Sequence, residues 1–438
     1  MFAQSRFLLK NTSFYSTFSQ GVWTIQGGGL FLLTVFSFFP SLFHLQEILF
    51  FVLLGLALFV GWLEEKDLRV RTPIDLPLFL LLVWILLCIP FSLNPEYSFV
   101  EWRKLIAQCL VFYWAVFVLR EISLRPQGES FCLPFKTIEV SRSTSPQNVF
   151  LGVLVSTMLL AVLALIDFID RGGNWQDRNI RALVPGSDYN WLSTYMVLAM
   201  PVIVYVGMTT RLLWEKIFSI GAGVLGLIAH AASYTRAGWL AAAVQLFSWS
   251  LITRRRVLFI SLILGLILVF VASREITQMG FHADTLHSWT LEARIQVWGL
   301  GIDQMISHPI VGIGYGNNIF QPVLVNSPMG DSPMHLHNTP LMIGVGSGIP
   351  GLVFFLWVFA RLGVELLPRK PKKDWTDFDI LKFCLGIVLV GFFCRNLFDY
   401  MFAGSLAYLF WILMACGQES QKGMASTYKN QETRLSNV

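Results

Sequence analysis

Apolar stretches of about twenty residues recur along most of this chain, separated by polar segments. A helix needs about 20 apolar residues to cross the hydrocarbon core of a bilayer. Apolar residues make up 55% of the 438 residues and charged residues only 13%. This composition excludes an ordinary soluble domain. The sequence therefore predicts an all-α, polytopic integral membrane protein with about 12 transmembrane helices. The stretches begin near Trp23, Gln46, Ile74, Leu105, Asn148, Trp191, Ile217, Ala237, Val257, Thr339, Ile380 and Phe402.

Lys and Arg are distributed unevenly between the two sides of such a twelve-helix arrangement. With both termini inside, 23 of the 32 Lys and Arg residues fall on the cytoplasmic side and 9 on the other, as the positive-inside rule requires. The net charge of +5 is small for this length, so nucleic acid is not an expected partner. We predict nine transmembrane helices in residues 1–272, a long periplasmic loop over 273–338, three further helices in 339–417, and a cytoplasmic tail over 418–438.

The long loop contains one helical pattern. Leu291, Ile295, Trp298, Ile302 and Met305 recur at helical spacing, which predicts an amphipathic helix lying on the membrane or on the helix bundle. Loops of this length in compact proteins are usually functional or disordered, and this one is not of low complexity. The glycines of residues 312–316 do not fit the dinucleotide-binding pattern, and we expect a flexible structural turn there.

Several arginines lie on the predicted outer side of the membrane, where the positive-inside rule predicts few positive charges. They are Arg181, Arg236, Arg294 and Arg395. Trp298 follows Arg294 by about one helical turn, and Asp399 follows Arg395 at the same spacing. Each arginine alone is compatible with a salt bridge or a headgroup anchor. Gathered at one face of a bundle, guanidinium groups bind phosphate oxygens bidentately. The set therefore predicts a site for a phosphate or diphosphate.

Two histidines lie where the long loop enters the tenth predicted helix. His335 and His337 precede Asn338, and histidine is the side chain best suited to transfer a proton near neutral pH. Two other interpretations remain open. Both imidazoles can bond loop carbonyls, or they can bind zinc with help from His282, His287 or Asp331 of the same loop. Because no recognised zinc spacing is present, we predict no metal.

Taken in order, these motifs resemble those of one family. Residues 233–240 resemble its Ser-x-Arg-Gly-x-Trp element, except that Ala237 separates Arg236 from Gly238. Residues 294–298 and 308–317 resemble its Arg-x-x-x-Trp, His-Pro and Gly-x-Gly-x-Gly-Asn elements, and the His-Asn pair at 337–338 follows. The family is the O-antigen ligase and polymerase superfamily of bacterial envelope glycosyltransferases. The resemblance covers about residues 181–351.

The resemblance implies a multi-pass glycosyltransferase of the bacterial inner membrane whose active site faces the periplasm. Such an enzyme transfers a glycan from undecaprenyl diphosphate to a lipid A-core type or other glycan acceptor, with inversion and without a cofactor. By motif match, His337 holds the essential histidine position. The arginine positions that bind the diphosphate are Arg181, Arg236 and Arg294, of which Arg236 and Arg294 are also expected to be catalytic. The expected supporting residues are Asn338, Trp298, Arg395, Asp399 and His335.

Two alternatives to the ligase function remain. A polymerase of the same superfamily adds repeat units to another lipid-linked glycan. A non-enzymatic polysaccharide transporter would also have about twelve helices, but it should carry polar groups near the middle of the membrane on broken, repeated helices. The unusual polar residues here gather at the outer surface, which favours an enzyme.

Overall fold

The computed structural model describes residues 13–37, 39–124, 146–174, 180–184, 186–253, 291–326, 335–369 and 372–418. Regular structure in these ranges is entirely helical, which confirms the all-α prediction. The α-helices are α1 (Ser13–Phe36), α2 (Phe43–Leu63), α3 (Asp75–Cys88), α4 (Pro95–Ser123), α5 (Gln147–Asp170), α6 (Tyr189–Thr209), α7 (Leu213–Ala232), α8 (Arg236–Thr253), α9 (Leu291–Ser307), α10 (Gln321–Val325), α11 (Thr339–Leu366), α12 (Asp377–Asn396) and α13 (Gly404–Cys416).

Six helices in the described ranges are long and apolar enough to cross a membrane. They are Pro40–Leu63, Pro95–Ser123, Gln147–Asp170, Tyr189–Thr209, Leu213–Ala232 and Thr339–Leu366. Two shorter apolar helices, Asp75–Phe91 and Gly404–Cys416, cover the stretches predicted from Ile74 and Phe402. Helices α1, α8 and α12 cover three more, and the stretch from Val257 lies outside the described residues. These helices support a membrane protein, while the total of twelve and the sidedness of the loops stay predictions.

The short helix α13 lies inside the bundle. Every residue from Ser405 to Cys416 is buried, and α13 packs against α4 and α6. Thirteen residues are too few to span a bilayer alone, but the surrounding helices shield its ends. Phe410 stacks on Phe392 of α12 with ring centroids 4.7 Å apart, within the distance range of favourable aromatic pairs. The bundle therefore has a packed interior of its own, distinct from its outer apolar surface.

Helix α2 shows the opposite pattern on the outside of the bundle. Ile48 is 62% exposed, and Phe51 and Phe59 are about half exposed. Apolar side chains exposed in this number are unfavourable in water but suit contact with lipid tails. Contact with lipid tails thus explains why the outer face of α2 is as apolar as the interior of the bundle.

Helix α11 is broken, and the break anchors the glycine-rich segment of residues 312–316. The backbone leaves the helical conformation at Ser347 and Gly348, and Gly348 has a φ of 72°. The amide groups of Ile313 and Gly314 donate to the carbonyls of Val345 and Gly346 at 2.9 and 3.0 Å. The expected flexible turn is instead a buried, hydrogen-bonded segment. Because it follows α9 directly, this pairing ties α9 to α11.

Candidate active site

One end of the bundle brings together the start of α6 and the turn between α7 and α8. The amide of Ala182 donates to the carbonyl of Ala232 at 2.9 Å, which ties residues 180–184 to the end of α7. The hydroxyl of Thr235 donates to the carbonyl of Tyr189 at 3.2 Å, which ties the turn to α6. The segments that carry Arg181 and Arg236 therefore meet at the first residues of α6.

Helix α9 reaches the same end through Trp298. The indole Nε1 of Trp298 donates to the carbonyl of Leu336 at 2.8 Å, and Leu336 is fully buried. A helix forms over Leu291–Ser307 as expected, but its inner face is not the predicted apolar stripe: Val297, outside that stripe, is 2% exposed, whereas Ile295, within it, is 56% exposed. The histidine segment is thus held against α9, although 38 residues separate Trp298 from Leu336.

His337 forms the centre of this arrangement. Its Nδ1 lies 2.9 Å from Oδ1 of Asp399, and 17% of the side chain is accessible. The other carboxylate oxygen of Asp399 accepts from Arg395, 3.1 Å away, and the same nitrogen of Arg395 donates to the side-chain oxygen of Asn190 at 3.0 Å. A chain of side chains therefore runs from α6 through α12 to the entrance of α11.

The charge of Asp399 is stabilised although the residue is almost completely buried. Burial alone would raise the pKa of its carboxyl group. The hydrogen bond from His337 and the positive charge of Arg395 outweigh burial and hold the pKa of Asp399 well below its usual range. An ionised Asp399 accepts a hydrogen bond from Nδ1–H of His337, which leaves Nε2 as the ring nitrogen able to take up a proton.

Two arginines present hydrogen-bond donors that the described part of the protein does not use. Arg395 is fully buried, and its Nε and Nη1 atoms have no partner among the described residues. The Nε atom of Arg294 is also buried without a partner there. Buried donors without acceptors are costly, so these groups favour an anionic ligand that can accept from them.

Arg294 lies within electrostatic range of this centre. Burial lowers the pKa of Arg294, the charges of Arg395 and Arg236 lower it further, and Asp399 opposes them. Arg236 is exposed at the first residue of α8. Three guanidinium groups thus share one region with the buried carboxylate of Asp399, and the carboxylate of Asp188, at the start of α6, lies within electrostatic range of Asp399 and Arg395. The arginines outnumber these carboxylates.

Arg181 is placed at the edge of this region. Its guanidinium carbon lies 4.3 Å from the centroid of the Tyr189 ring, a cation–π contact. Tyr189 is the first residue of α6 and lies within electrostatic range of Arg294. The N-termini of α6 and α11 add partial positive charge at the same end of the bundle. The structure therefore brings the sequence-predicted arginines towards one place.

His335 and Asn338 have local partners beside His337. Nδ1 of His335 accepts from the backbone amide of His337 at 3.1 Å, and the two ring centroids lie 3.8 Å apart. Burial lowers the pKa of His335 to about 4, and the neighbouring His337 lowers it as well. The side chain of Asn338 accepts from the amide of Leu341 at 2.9 Å and caps α11. Asn338 therefore supports the start of the helix.

The side chains of His335, His337 and Asp399 together offer a set of ligand atoms for a metal ion. One ligand atom each of His335, His337 and Asp399 lies within 4.8 Å of the others, and a catalytic zinc has three protein ligands. The zinc ligands considered from the sequence, His282, His287 and Asp331, lie outside the described residues. Nδ1 of His335 already accepts a hydrogen bond, and both oxygens of Asp399 accept others. With Arg395 and Arg294 nearby, this donor set fits an anion better than a cation.

The sequence reasoning missed Asn190 and the pairing of His337 with Asp399. Asn190 is separated from Arg395 by 205 residues, and asparagine next to an aromatic residue carries no distinctive motif. The spacing of Arg395 and Asp399 was the available signal, since residues four apart on a helix face each other. A buried acidic residue beside a predicted catalytic histidine is a partner worth testing.

Comparison with known families bears on the central part of the chain. Residues 221–356 match a family model described as O-antigen ligase. The matched segment includes Arg236, Arg294 and His337 and excludes Arg181, Arg395 and Asp399. This match confirms the resemblance inferred from the motifs, and it supports a membrane enzyme of the O-antigen ligase and polymerase type that acts on a lipid-linked glycan. A comparison with curated proteins gave no match.

Proposed function

We propose that this chain is an O-antigen ligase type glycosyltransferase. It moves a glycan from undecaprenyl diphosphate to a lipid A-core type acceptor at the periplasmic face of the bacterial inner membrane, with inversion and without a metal. The observation that carries the proposal is the His337–Asp399 pair beside arginine donors that have no acceptor among the described residues. The family match over residues 221–356 supports it.

His337 acts on the acceptor. With Nδ1–H bound to Asp399, Nε2 accepts the proton of the attacking hydroxyl group, and the ionised Asp399 stabilises the imidazolium that forms. The fixed ring also orients the hydroxyl group. A positioned proton-transfer group of this kind contributes about 10²–10⁴-fold to a rate.

The arginines act on the leaving group. The acceptor oxygen forms its bond to the anomeric carbon on the face opposite the diphosphate, the carbon–oxygen bond to the diphosphate breaks, and its electron pair moves to the departing phosphate oxygen. The donors of Arg395 and Arg294 that find no acceptor in the described part of the chain, with Arg236 and Arg181 nearby, stabilise that negative charge. Stabilisation by preorganised donors in a buried site is a major source of catalysis.

The place of the site explains the use of lipid-linked substrates. The site is built at helix ends, where the polar head of a lipid-linked donor meets the membrane surface, while the outer faces of helices such as α2 remain apolar. Lipid tails of donor and acceptor therefore enter sideways from the bilayer, and only their glycans and phosphates contact the polar residues.

A transporter is less compatible with these observations. Transporters bind substrates and ions at broken helices near the middle of the membrane, and α11 does have a break. The carbonyls of Val345 and Gly346 accept backbone amides there, and that of Ser347 accepts from the Trp84 indole at 2.8 Å. The break is therefore occupied by the protein's own groups.

The glycan profile of a deletion strain tests the proposal and separates ligase from polymerase. We expect loss of the complete O-antigen ladder on lipid A, with polymer accumulating on undecaprenyl diphosphate, and restoration by the wild-type chain but not by His337→Ala. Lipid A that carries a single repeat unit instead would assign the polymerase function. An unchanged profile would contradict both enzyme functions.

A further inference from the structure

His337 has an unusual backbone conformation that must be held by its surroundings. Its φ is 46°, in the left-handed region that residues with a side chain rarely adopt. The preceding residue, Leu336, is fully buried and its carbonyl accepts from Trp298. Asn338, which follows, is extended and caps α11. The imidazole reaches Asp399 from this conformation, so its maintenance matters for the site.

The amide of His337 is bound by a side chain two residues earlier. It donates to Nδ1 of His335 at 3.1 Å, and the two rings lie against each other with centroids 3.8 Å apart. We propose that His335 is a positioning residue, which holds the left-handed backbone of His337 through Nδ1 and thereby aims the imidazole of His337 at Asp399. For its effect on transfer, this inference rests on the proposed function.

The contact resembles the turns that asparagine and aspartate form with their own backbone. In those turns a side-chain oxygen accepts the amide two residues further along. Nδ1 of histidine and Oδ1 of asparagine are both bonded to Cγ, so asparagine presents an acceptor at the same place. Glutamine instead places its polar atoms one bond further out, near the position of Nε2. Replacing His335 by asparagine or by glutamine therefore distinguishes the role of Nδ1 from that of Nε2.

The acceptor role also defines the tautomer of His335. A nitrogen that accepts a hydrogen bond carries no proton, so the neutral ring must hold its proton on Nε2. The lowered pKa of His335 keeps the ring neutral at physiological pH. A metal ligand that used Nδ1 of His335 would have to displace the amide of His337, and this contact would be lost.

Kinetics of the full-length protein test the positioning role. The substrates are fluorescently labelled undecaprenyl diphosphate-linked glycan and a lipid A-core acceptor in detergent micelles. We expect His335→Asn to keep kcat within about twofold, and His335→Gln to lower kcat by about tenfold with an unchanged KM for the donor, the effect of one lost hydrogen bond. Equal losses in the two variants, or a loss confined to KM, would overturn the proposal.

A spectroscopic measurement tests the same contact without any substrate. The 7 histidines of the chain are labelled with ¹⁵N, and the ring signals of His335 are assigned as those missing from His335→Asn. We expect Nδ1 unprotonated and Nε2 protonated; the opposite tautomer would overturn the proposal. Because this result needs no transfer, a wild-type protein that fails to transfer glycan would contradict the proposed function and leave the positioning role tested by the tautomer alone.

Discussion

The substitution Asp399→Asn keeps the shape of a buried side chain and removes its charge. In the structure, Oδ1 of Asp399 faces Nδ1 of His337 and the amide of Tyr400, and Oδ2 faces Arg395. An amide has one oxygen and one NH₂ group, so it must turn the NH₂ group towards one side. Turning the NH₂ group towards Arg395 would set two donors against each other and leave this fully buried cation with Asn190 as its remaining acceptor among the described residues, which is more costly than the acceptor that the Tyr400 amide loses in the other orientation. The amide oxygen should therefore face Arg395.

That orientation places the NH₂ group against His337 and forces its Nδ1 to accept. The proton of the neutral ring then moves to Nε2, which can no longer take a proton from the acceptor hydroxyl group. Because the base is blocked while its position is kept, we expect a loss in the upper part of the range for proton-transfer groups, about 10³–10⁴-fold in kcat. At about 1.36 kcal/mol per tenfold change, the barrier rises by about 4–5.5 kcal/mol.

The assay is single-turnover transfer from undecaprenyl diphosphate-linked glycan by purified protein, with thermal unfolding measured in parallel. Asp303→Asn is the matched control, because Asp303 is exposed on α9 and the same chemical change there should leave kcat within about twofold. A folded Asp399→Asn variant that retains more than a third of the wild-type kcat would refute the proposed pairing of His337 and Asp399.

Three further predictions concern the charges of the site and the orientation of the chain in the membrane. Replacing Arg181, Arg236 or Arg294 by lysine keeps the charge but loses the bidentate geometry, so transfer should fall at least tenfold in each variant. The control Arg103→Lys should have little effect. Near-normal transfer by all three variants would contradict a diphosphate site. Burial lowers the pKa of His335 from 6.5 to about 4 in the folded protein, so the unfolded chain takes up a proton at this position first as the pH falls over this range. The melting temperature should therefore decrease over this range by more in the wild type than in His335→Asn. Equal decreases would contradict burial of a neutral ring. In a cysteine-free variant, an impermeant thiol reagent applied to intact spheroplasts should label a cysteine at Ser288 and not at Ser141, and the reverse would contradict the predicted sidedness.

The sequence predicted the groups of the site better than their partners. Arginines against the charge rule and a histidine at the start of a helix are visible in one chain, because each is unusual for its own position. The contact of His337 with Asp399 depends on how α11 packs against α12, and the two residues are 62 positions apart. Asn190 could not be identified for the same reason, since its role arises only when Arg395 is buried beside it.

In the fold as well, features that depend on a local apolar pattern could be predicted, whereas features that depend on packing could not. Helices were expected where apolar residues run on, and 11 of the twelve predicted stretches lie in the helices described here. The break at Gly348 was not expected, because the apolar pattern of α11 continues through it. The break depends on Ile313 and Gly314, whose amides replace the helical partners of the α11 carbonyls, and hydropathy contains no information about such pairing.

In the proposed mechanism, His337 drives glycan transfer from a lipid diphosphate without a metal. The most direct measurement is transfer by the purified full-length protein in excess EDTA, with wild type, His337→Ala and His335→Asn compared at matched protein concentration. We expect the wild type to remain active, His335→Asn to stay close to it, and His337→Ala to lose about 10²–10⁴-fold in rate. Loss of wild-type transfer in EDTA, together with equal damage from the two substitutions, would contradict a metal-independent role of His337 and favour a metal held by His335, His337 and Asp399.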